Sequence, residues 1–187
     1  MAPFIPHDLL DNRFILTANK SIFWENEQAL ILSDLHIGKS GHFRKSGIAI
    51  PQSILLEDMQ RLLDQVQYFK PARIIIVGDL FHSHANRELD LFMRWRDQFN
   101  QVPFELVMGN HDILDTNWYH DAGIGIFREP LLVQQFAFIH DIADLQEDDE
   151  KYYFSGHIHP GYHLNGPGRQ HLQLPCYYFG EKHAVLP

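Results

Sequence analysis

An unbroken apolar run at residues 74–77, three isoleucines and a valine, restricts the possible fold of this chain more than any other segment. Such a run is typical of a β-strand that is buried on both faces. Other layers of the protein must therefore cover the strand that we predict at residues 73–77. Gly78 and Asp79 follow it at once, so we expect the strand to end at a polar loop.

Helical and extended patterns alternate around this strand. Apolar side chains recur every three or four positions in 53–69 and 86–99, which predicts two amphipathic helices. Ser53 and Asn86 are the candidate N-caps of these helices. A second buried strand is predicted at 104–108.

The remaining segments are mostly extended. Residues 21–24 and 29–33 predict a hairpin that turns at 25–27. Strand–helix–strand order followed by a β-rich half favours a two-layer or sandwiched α/β fold. The strands predicted in the second half are 125–128, 131–134, 136–140, 152–155, 170–174 and 176–179.

Length and composition indicate one domain, residues 1–187, in a cytoplasmic protein. The 187 residues fit a single core. No stretch reaches the ~18 apolar residues of a membrane span, and the N-terminus lacks the pattern of a secretory signal. The one cysteine, Cys176, lies in an apolar run at 174–179, so we expect a buried, reduced thiol.

The charge of the chain is acidic. Fifteen basic and 24 acidic residues give a formal net charge of −9. A uniformly acidic surface repels a phosphate backbone, which argues against a broad face for binding duplex nucleic acid. A phosphate substrate at one metal-bearing site remains compatible with this charge.

Five short polar motifs supply ligands for two adjacent metal ions, and four of them begin where a predicted strand ends. Carboxylates, an amide and imidazoles without a thiolate suit Mn²⁺ best, with Fe, Zn²⁺ or Mg²⁺ as alternatives. The conjunction of the five, in order, carries the prediction, since each alone is commoner as an ordinary turn or strand end. The motifs are Asp34-Leu35-His36, Gly78-Asp79, Gly109-Asn110-His111-Asp112, His140-Asp141 and Gly156-His157-Ile158-His159.

The spacing within the motifs supports this interpretation. Asp34 and His36 are two residues apart on extended backbone, so their side chains share a face. Asp79 is our candidate for a bridging carboxylate, because two ions ~3.5–4 Å apart need a shared anionic ligand. His111 could donate a proton to a phosphate or a leaving oxygen, and Asp112 could orient the His111 ring.

At these residues the chain resembles the calcineurin-like metallophosphoesterase superfamily. The resemblance implies a four-layer α/β/β/α sandwich with a dinuclear metal site. It also implies that His111 is the acid or the transition-state stabiliser. The implied ligands are Asp34, His36, Asp79 and His159 for the first ion, and Asp79, Asn110, His140 and His157 for the second.

A narrower resemblance lies in residues 33–51 and 78–83, which are similar to the bacterial DNA-ligase-associated metallophosphoesterases. It implies a link to DNA repair and possible DNA ligase or helicase partners. Basic side chains after the first motif are placed to meet a phosphodiester, although a solvated basic loop would have the same composition. The predicted substrate-binding residues are Lys39, His42, Arg44, Lys45 and His82.

Three functions follow from these residues. The first is a dinuclear-metal-dependent phosphodiesterase that acts on nucleotides or nucleic-acid ends. The second is a phosphomonoesterase that acts on a small phosphorylated metabolite. The third is a non-catalytic subunit of a ligase–helicase repair complex, which the intact ligand set disfavours. Residues 78–83 lack the Asp-Arg-Gly continuation of protein Ser/Thr phosphatases, and no long insertion supplies a DNA-binding domain.

Overall fold

Seven strands form the larger of two main sheets, and their order in the sheet follows the chain. The computed structural model describes residues 4–37, 53–82, 87–145, 150–168 and 170–187. The first four strands form an antiparallel meander, and the fourth to seventh run parallel. They are β1 (Phe4–Leu9), β2 (Asn12–Thr17), β3 (Ser21–Trp24), β4 (Ala29–Leu32), β5 (Arg73–Val77), β6 (Phe104–Val107) and β7 (Ile124–Phe127).

The smaller sheet has five strands in the order β13-β14-β10-β9-β8. Its three central strands, β9, β10 and β14, are parallel. Two further strands, β11 (Gly161–Asn165) and β12 (His171–Pro175), form a separate and exposed hairpin. The strands of the smaller sheet are β8 (Leu131–Val133), β9 (Phe136–Phe138), β10 (Tyr152–Ser155), β13 (Tyr178–Phe179) and β14 (His183–Val185).

The strand at Arg73–Val77 is buried on both faces, as predicted. Ile74 and Ile76 pack with the helices on one side of the larger sheet. Ile75 and Val77 pack on the other side against Phe138 and other side chains of the smaller sheet. The helices are α1 (Ser53–Phe69), α2 (Arg87–Arg96, continued by a 3-10 turn at Asp97–Phe99) and α3 (Thr116–Asp121).

The predicted mixed α/β fold and the first helix are confirmed. The side chain of Ser53 and the whole of Asn86 lie outside the described residues, so the predicted caps stay predictions. On the outer face of the smaller sheet, Leu145, which ends a 3-10 turn at Ile142–Asp144, packs against a small buried cluster. Among the described helices, none has the length and apolar character needed to cross a membrane.

Three features differ from the sequence prediction. The sequence did not predict the hairpin of β1 and β2, because its outer strand has no regular alternation of polar and apolar residues and carries Pro6, as edge strands often do. Helix α3 was not predicted either, because its six residues are too few to show a helical spacing of apolar side chains. The predicted burial of Cys176 is wrong: the residue is half-buried, since it follows the exposed strand β12.

Candidate metal centre

All five motifs lie just beyond the carboxyl ends of parallel strands. Strands β4, β5 and β6 of the larger sheet precede the first three motifs, and β9 and β10 of the smaller sheet precede the last two. The two sets of loops meet across the sandwich, where the His157 backbone N–H donates to the Asp34 carboxylate at 3.1 Å. This is the edge of an α/β sheet at which ligands are usually bound.

The first cluster consists of Asp34, His36 and His159, whose ligand atoms lie within 4.8 Å of one another. The Nε2 atoms of His36 and His159 are 3.4 Å apart. The Oδ1 atom of Asp34 lies 4.0 Å from Nε2 of His159. Two imidazoles and a carboxylate therefore converge on one point, which is a donor set that suits a divalent cation.

The second cluster consists of Asp79, His140 and His157, also within 4.8 Å. Nε2 of His140 lies 2.9 Å from Oδ1 of Asn110, 3.1 Å from Nδ1 of His157 and 3.6 Å from Oδ1 of Asp79. Nε2 of His140 carries at most one N–H, which cannot bond all three of the surrounding atoms, two oxygens and a ring nitrogen. A cation placed among these atoms could be bound by all of them, so Asn110 joins this cluster as a fourth candidate ligand.

The burial of the Asp34 carboxylate also favours a positive charge at the site. Desolvation raises the pKa of Asp34, and a hydrogen bond with Ser33 and the nearby His159 offset this only in part. A buried carboxylate with a raised pKa lacks a sufficient cationic partner. The residues present thus fit two divalent ions on both geometry and charge.

Three motif glycines leave space that ligands of other motifs occupy. A Cβ on Gly78 would lie 1.8 Å from Nδ1 of His140, and Gly78 also has a φ of +76°. A Cβ on Gly109 would lie 2.2 Å from Oδ1 of Asp79. A Cβ on Gly156 would lie 2.4 Å from Oδ2 of Asp34. Each glycine is therefore required for a ligand that another motif supplies.

Five of the predicted ligands have left-handed backbone, which is uncommon for residues other than glycine, so the extended backbone predicted at Asp34 and His36 is wrong. Such conformations cost about 1–3 kcal/mol each and persist where surrounding structure imposes them, commonly at functional sites. The ligands concerned are Asp34 (φ 51°), His36 (48°), Asp79 (50°), His157 (67°) and His159 (51°).

The sequence model of calcineurin-like phosphoesterases matches residues 28–141. This chain belongs to the calcineurin-like phosphoesterase family. It is also similar in structure to the Pseudomonas putida nuclease MPE, with a TM-score of 0.83 and 26% sequence identity over 99% of this chain and 86% of that chain. No curated protein sequence matches it.

Family membership confirms that this metallophosphoesterase is a metal-dependent phosphohydrolase. Members of the family normally bind two divalent ions, and the two clusters are the candidate sites for them. The predicted superfamily is thus confirmed, and so is the predicted class of enzyme.

His111 and His82 lie beside the first cluster of the metallophosphoesterase. Their ring centroids are 4.3 Å apart, and the His36 ring lies 5.7 Å from His111 and 5.4 Å from His82. The backbone N–H of His111 donates to Oδ1 of Asp79 at 3.0 Å, which ties the third motif to the second. The predicted contacts Lys39, His42, Arg44 and Lys45 lie outside the described residues.

Asp112 is buried, and its carboxylate binds backbone rather than the His111 ring to which the sequence analysis assigned it. Its oxygens accept N–H bonds from Phe81 and Gly109, each at 3.0 Å. Burial raises the pKa of Asp112 to about 7, although these bonds favour the charged form. The side chain thereby fixes the loops after β5 and β6 relative to each other.

The sequence predicts no role for Asp141, but its carboxylate lies beside the candidate ligand His157. Its Oδ2 lies 3.6 Å from Nε2 of His157, whose other ring nitrogen faces the second cluster. A carboxylate behind a metal-binding histidine fixes the tautomer and orientation of its ring. The signal available in the sequence was the position of Asp141 directly after His140 in the fourth motif.

Proposed function

We propose that this metallophosphoesterase hydrolyses phosphodiester bonds in nucleotides or nucleic-acid ends. The observation that carries the proposal is its similarity, along 99% of the chain, to a protein described as a nuclease. The acidic charge of the chain is compatible with this function, because the substrate phosphate would meet the metal centre rather than a broad surface.

Two divalent ions, which we propose to be Mn²⁺, would supply Lewis acidity to the phosphoryl group and to the attacking water. The first and second clusters would hold them, with Asp79 shared. His111 would donate a proton to the leaving oxygen. His82, 4.3 Å from His111, would contact the substrate, and Asp112 would keep the His111 loop in place.

The test is hydrolysis of bis-p-nitrophenyl phosphate and of p-nitrophenyl phosphate with added Mn²⁺. We expect a higher kcat/KM for the diester and a loss of about 100-fold in His111→Ala. His120→Ala, on an exposed histidine of α3, is the matched control and should keep full activity. A monoester rate above the diester rate would favour a phosphomonoesterase, and no turnover of any diester would refute the proposal.

We further propose a role in DNA repair beside a DNA ligase or helicase, in the cytoplasm. The support is the similarity of residues 33–51 and 78–83 to ligase-associated relatives. The test is co-purification of the tagged protein with the ligase and helicase of its own organism. If the inactive Asp79→Asn variant kept its full biological effect, the non-catalytic subunit would be the better interpretation.

A further inference from the structure

A cavity of about 400 Å³ opens onto the first cluster and extends away from the metal centre. Asp34, His36 and His159 line one end of it. The turn between β2 and β3 and one face of helix α1 form its other walls. Its volume is within the ~300–1,000 Å³ of small-molecule sites, so it admits one nucleoside with a phosphate but not a duplex.

Two cationic side chains line this cavity. Lys20 comes from the turn between β2 and β3, and Arg61 comes from α1. Lys20 has no ion pair within the described ranges, whereas Arg61 pairs with Asp58 on its own helix. The carboxylates of Asp34 and Asp58 also line the cavity, so Lys20 is the lining cation without an acidic partner among the described residues, and a metal ion held by Asp34 would add positive charge for an anion.

A buried polar network holds the two walls together. The Thr17 and Ser21 hydroxyls both donate to Oε1 of Gln65, and the Gln65 amide donates to the Arg61 carbonyl at 3.2 Å. The Tyr177 hydroxyl bridges the carbonyls of Thr17 and Ser21 at 2.9 and 2.8 Å. The network fixes the turn that carries Lys20 against α1, so the backbone positions of Lys20 and Arg61 are set relative to each other before binding.

We propose that this cavity is the subsite for the nucleotide unit next to the scissile phosphate. Lys20 and Arg61 bind the following phosphate group of that unit, and the polar floor around Gln65 and Asn19 meets its sugar and base. The inference rests on the proposed function, since it places a nucleotide substrate at this metal centre. It adds a specificity-determining site on the side of the first cluster.

The experiment compares substrates that release the same p-nitrophenol. Bis-p-nitrophenyl phosphate has no further phosphate. Thymidine 3′-phosphate 5′-(p-nitrophenyl phosphate) and its regioisomer, thymidine 5′-phosphate 3′-(p-nitrophenyl phosphate), each have one. In Lys20→Ala and Arg61→Ala we expect the ratio of KM for the better bisphosphate to KM for bis-p-nitrophenyl phosphate to rise about tenfold. The effect should shrink at high salt, because both cations are exposed.

Matched controls separate this site from general charge effects. Lys70 is an exposed lysine with a φ of 48°, as Lys20 is with a φ of 63°. Arg13 pairs with Glu25 and has 55% of its side chain exposed, against 54% for Arg61. Lys70→Ala and Arg13→Ala should leave the KM ratio unchanged. Asp58→Asn should lower it two- to threefold, because the substitution frees Arg61 from its acidic partner.

Binding of thymidine 3′,5′-bisphosphate, measured by calorimetry, provides a readout that needs no turnover. Weaker binding in Lys20→Ala and Arg61→Ala but not in the controls supports the subsite. An unchanged KM ratio and unchanged binding in both variants would overturn it, even if diesters are hydrolysed. Absence of any diester turnover by the wild-type protein, with bisphosphate binding intact, would instead refute the proposed function and leave the anion site standing.

Discussion

Each of the two candidate clusters contains one aspartate and two histidines, and they differ in the burial of their histidines and in the presence of Asn110 in the second. In the second cluster, Asp79 and His140 are buried, with 2% and 8% of their surface exposed, whereas His157 has 41% of its side chain exposed. In the first cluster, only 1% of the Asp34 side chain is exposed, His36 is half-buried, and 50% of the His159 side chain is exposed. The closest distances differ in the same direction, 2.9 and 3.1 Å around His140 against 3.4 Å between His36 and His159.

This difference indicates that the two clusters have different roles. The second cluster has a buried aspartate and a buried histidine, and His140 lies close to Asn110 and His157, which favours a tightly held ion. The first cluster faces solvent, lies beside His82 and His111 and opens onto the cavity with Lys20 and Arg61. We therefore expect the second cluster to retain its ion and the first to be the side from which substrate enters.

The largest effect should come from Asp79, a residue of the second cluster that we propose to be shared with the first. We expect Asp79→Asn to lose both ions and about a thousandfold in kcat, which corresponds to several kcal/mol of transition-state stabilisation. Elemental analysis would count the ions, and circular dichroism would verify the fold. Asp121→Asn, on a carboxylate with 75% of its side chain exposed, is the control. An Asp79→Asn protein that still holds two ions would show that Asp79 is not shared.

The motif glycines allow the clusters to be broken one at a time. Gly78→Ala should displace His140 and empty the second cluster, whereas Gly156→Ala should displace Asp34 and empty the first. Each variant should lose about 100-fold in activity and hold one ion instead of two. Gly125→Ala, where the nearest atom is 3.6 Å away, should resemble the wild type. Identical metal loss in both variants would mean that the clusters do not act separately.

The order of metal release gives a smaller effect. We expect stepwise titration with a chelator to remove the ion of the first cluster first, with affinities about tenfold apart. His159→Ala should widen the gap and His140→Ala should reverse it, because each removes an imidazole from one cluster only. Calorimetry of Mn²⁺ binding measures both steps. If the wild type released the ion of the second cluster first, the affinities would not follow the burial of the two clusters.

The smallest effect should come from Asp141, which lies behind His157 of the second cluster. Asp141→Asn should weaken the more tightly bound ion about two- to fivefold, because the Asp141 and His157 side chains are 34% and 41% exposed and their interaction is screened. The bond from the Ala143 N–H to Oδ1 is retained by asparagine, so the turn stays capped. Asp144→Asn, in the same turn, should have no effect on Mn²⁺ affinity.

The site could be predicted from the sequence because strand ends are local features. The apolar run at 74–77 followed by Gly78-Asp79 gives the strand, its burial and its polar end together. The partition of the ligands between two clusters was implied only by family resemblance. Distances such as that between Asp34 and His159 depend on how two sheets dock, and no local pattern specifies that.

Other features of the structure could not be predicted, because the sequence contains no local pattern for them. The strand Phe4–Leu9, which lies at the edge of the larger sheet among the described residues, carries Pro6, His7 and Asp8 and gives no strand pattern. The assignment of Asp112 to the His111 ring followed from adjacency in sequence, whereas the fold directs its carboxylate to Phe81 and Gly109. Aspartate adopts left-handed backbone more readily than most residues, but its occurrence at Asp34 and Asp79 depends on the surrounding packing, which no local pattern shows.

The close fit between the motif glycines and the ligands of the opposite sheet has a consequence for the order of folding. Asp34, from the larger sheet, fits only against Gly156 of the smaller sheet, and His140 of the smaller sheet fits only against Gly78 of the larger one. Neither sheet can complete a metal site alone. Metal uptake should therefore follow the docking of the two sheets, and time-resolved Mn²⁺ binding during refolding would report the moment at which the halves of the sandwich first meet.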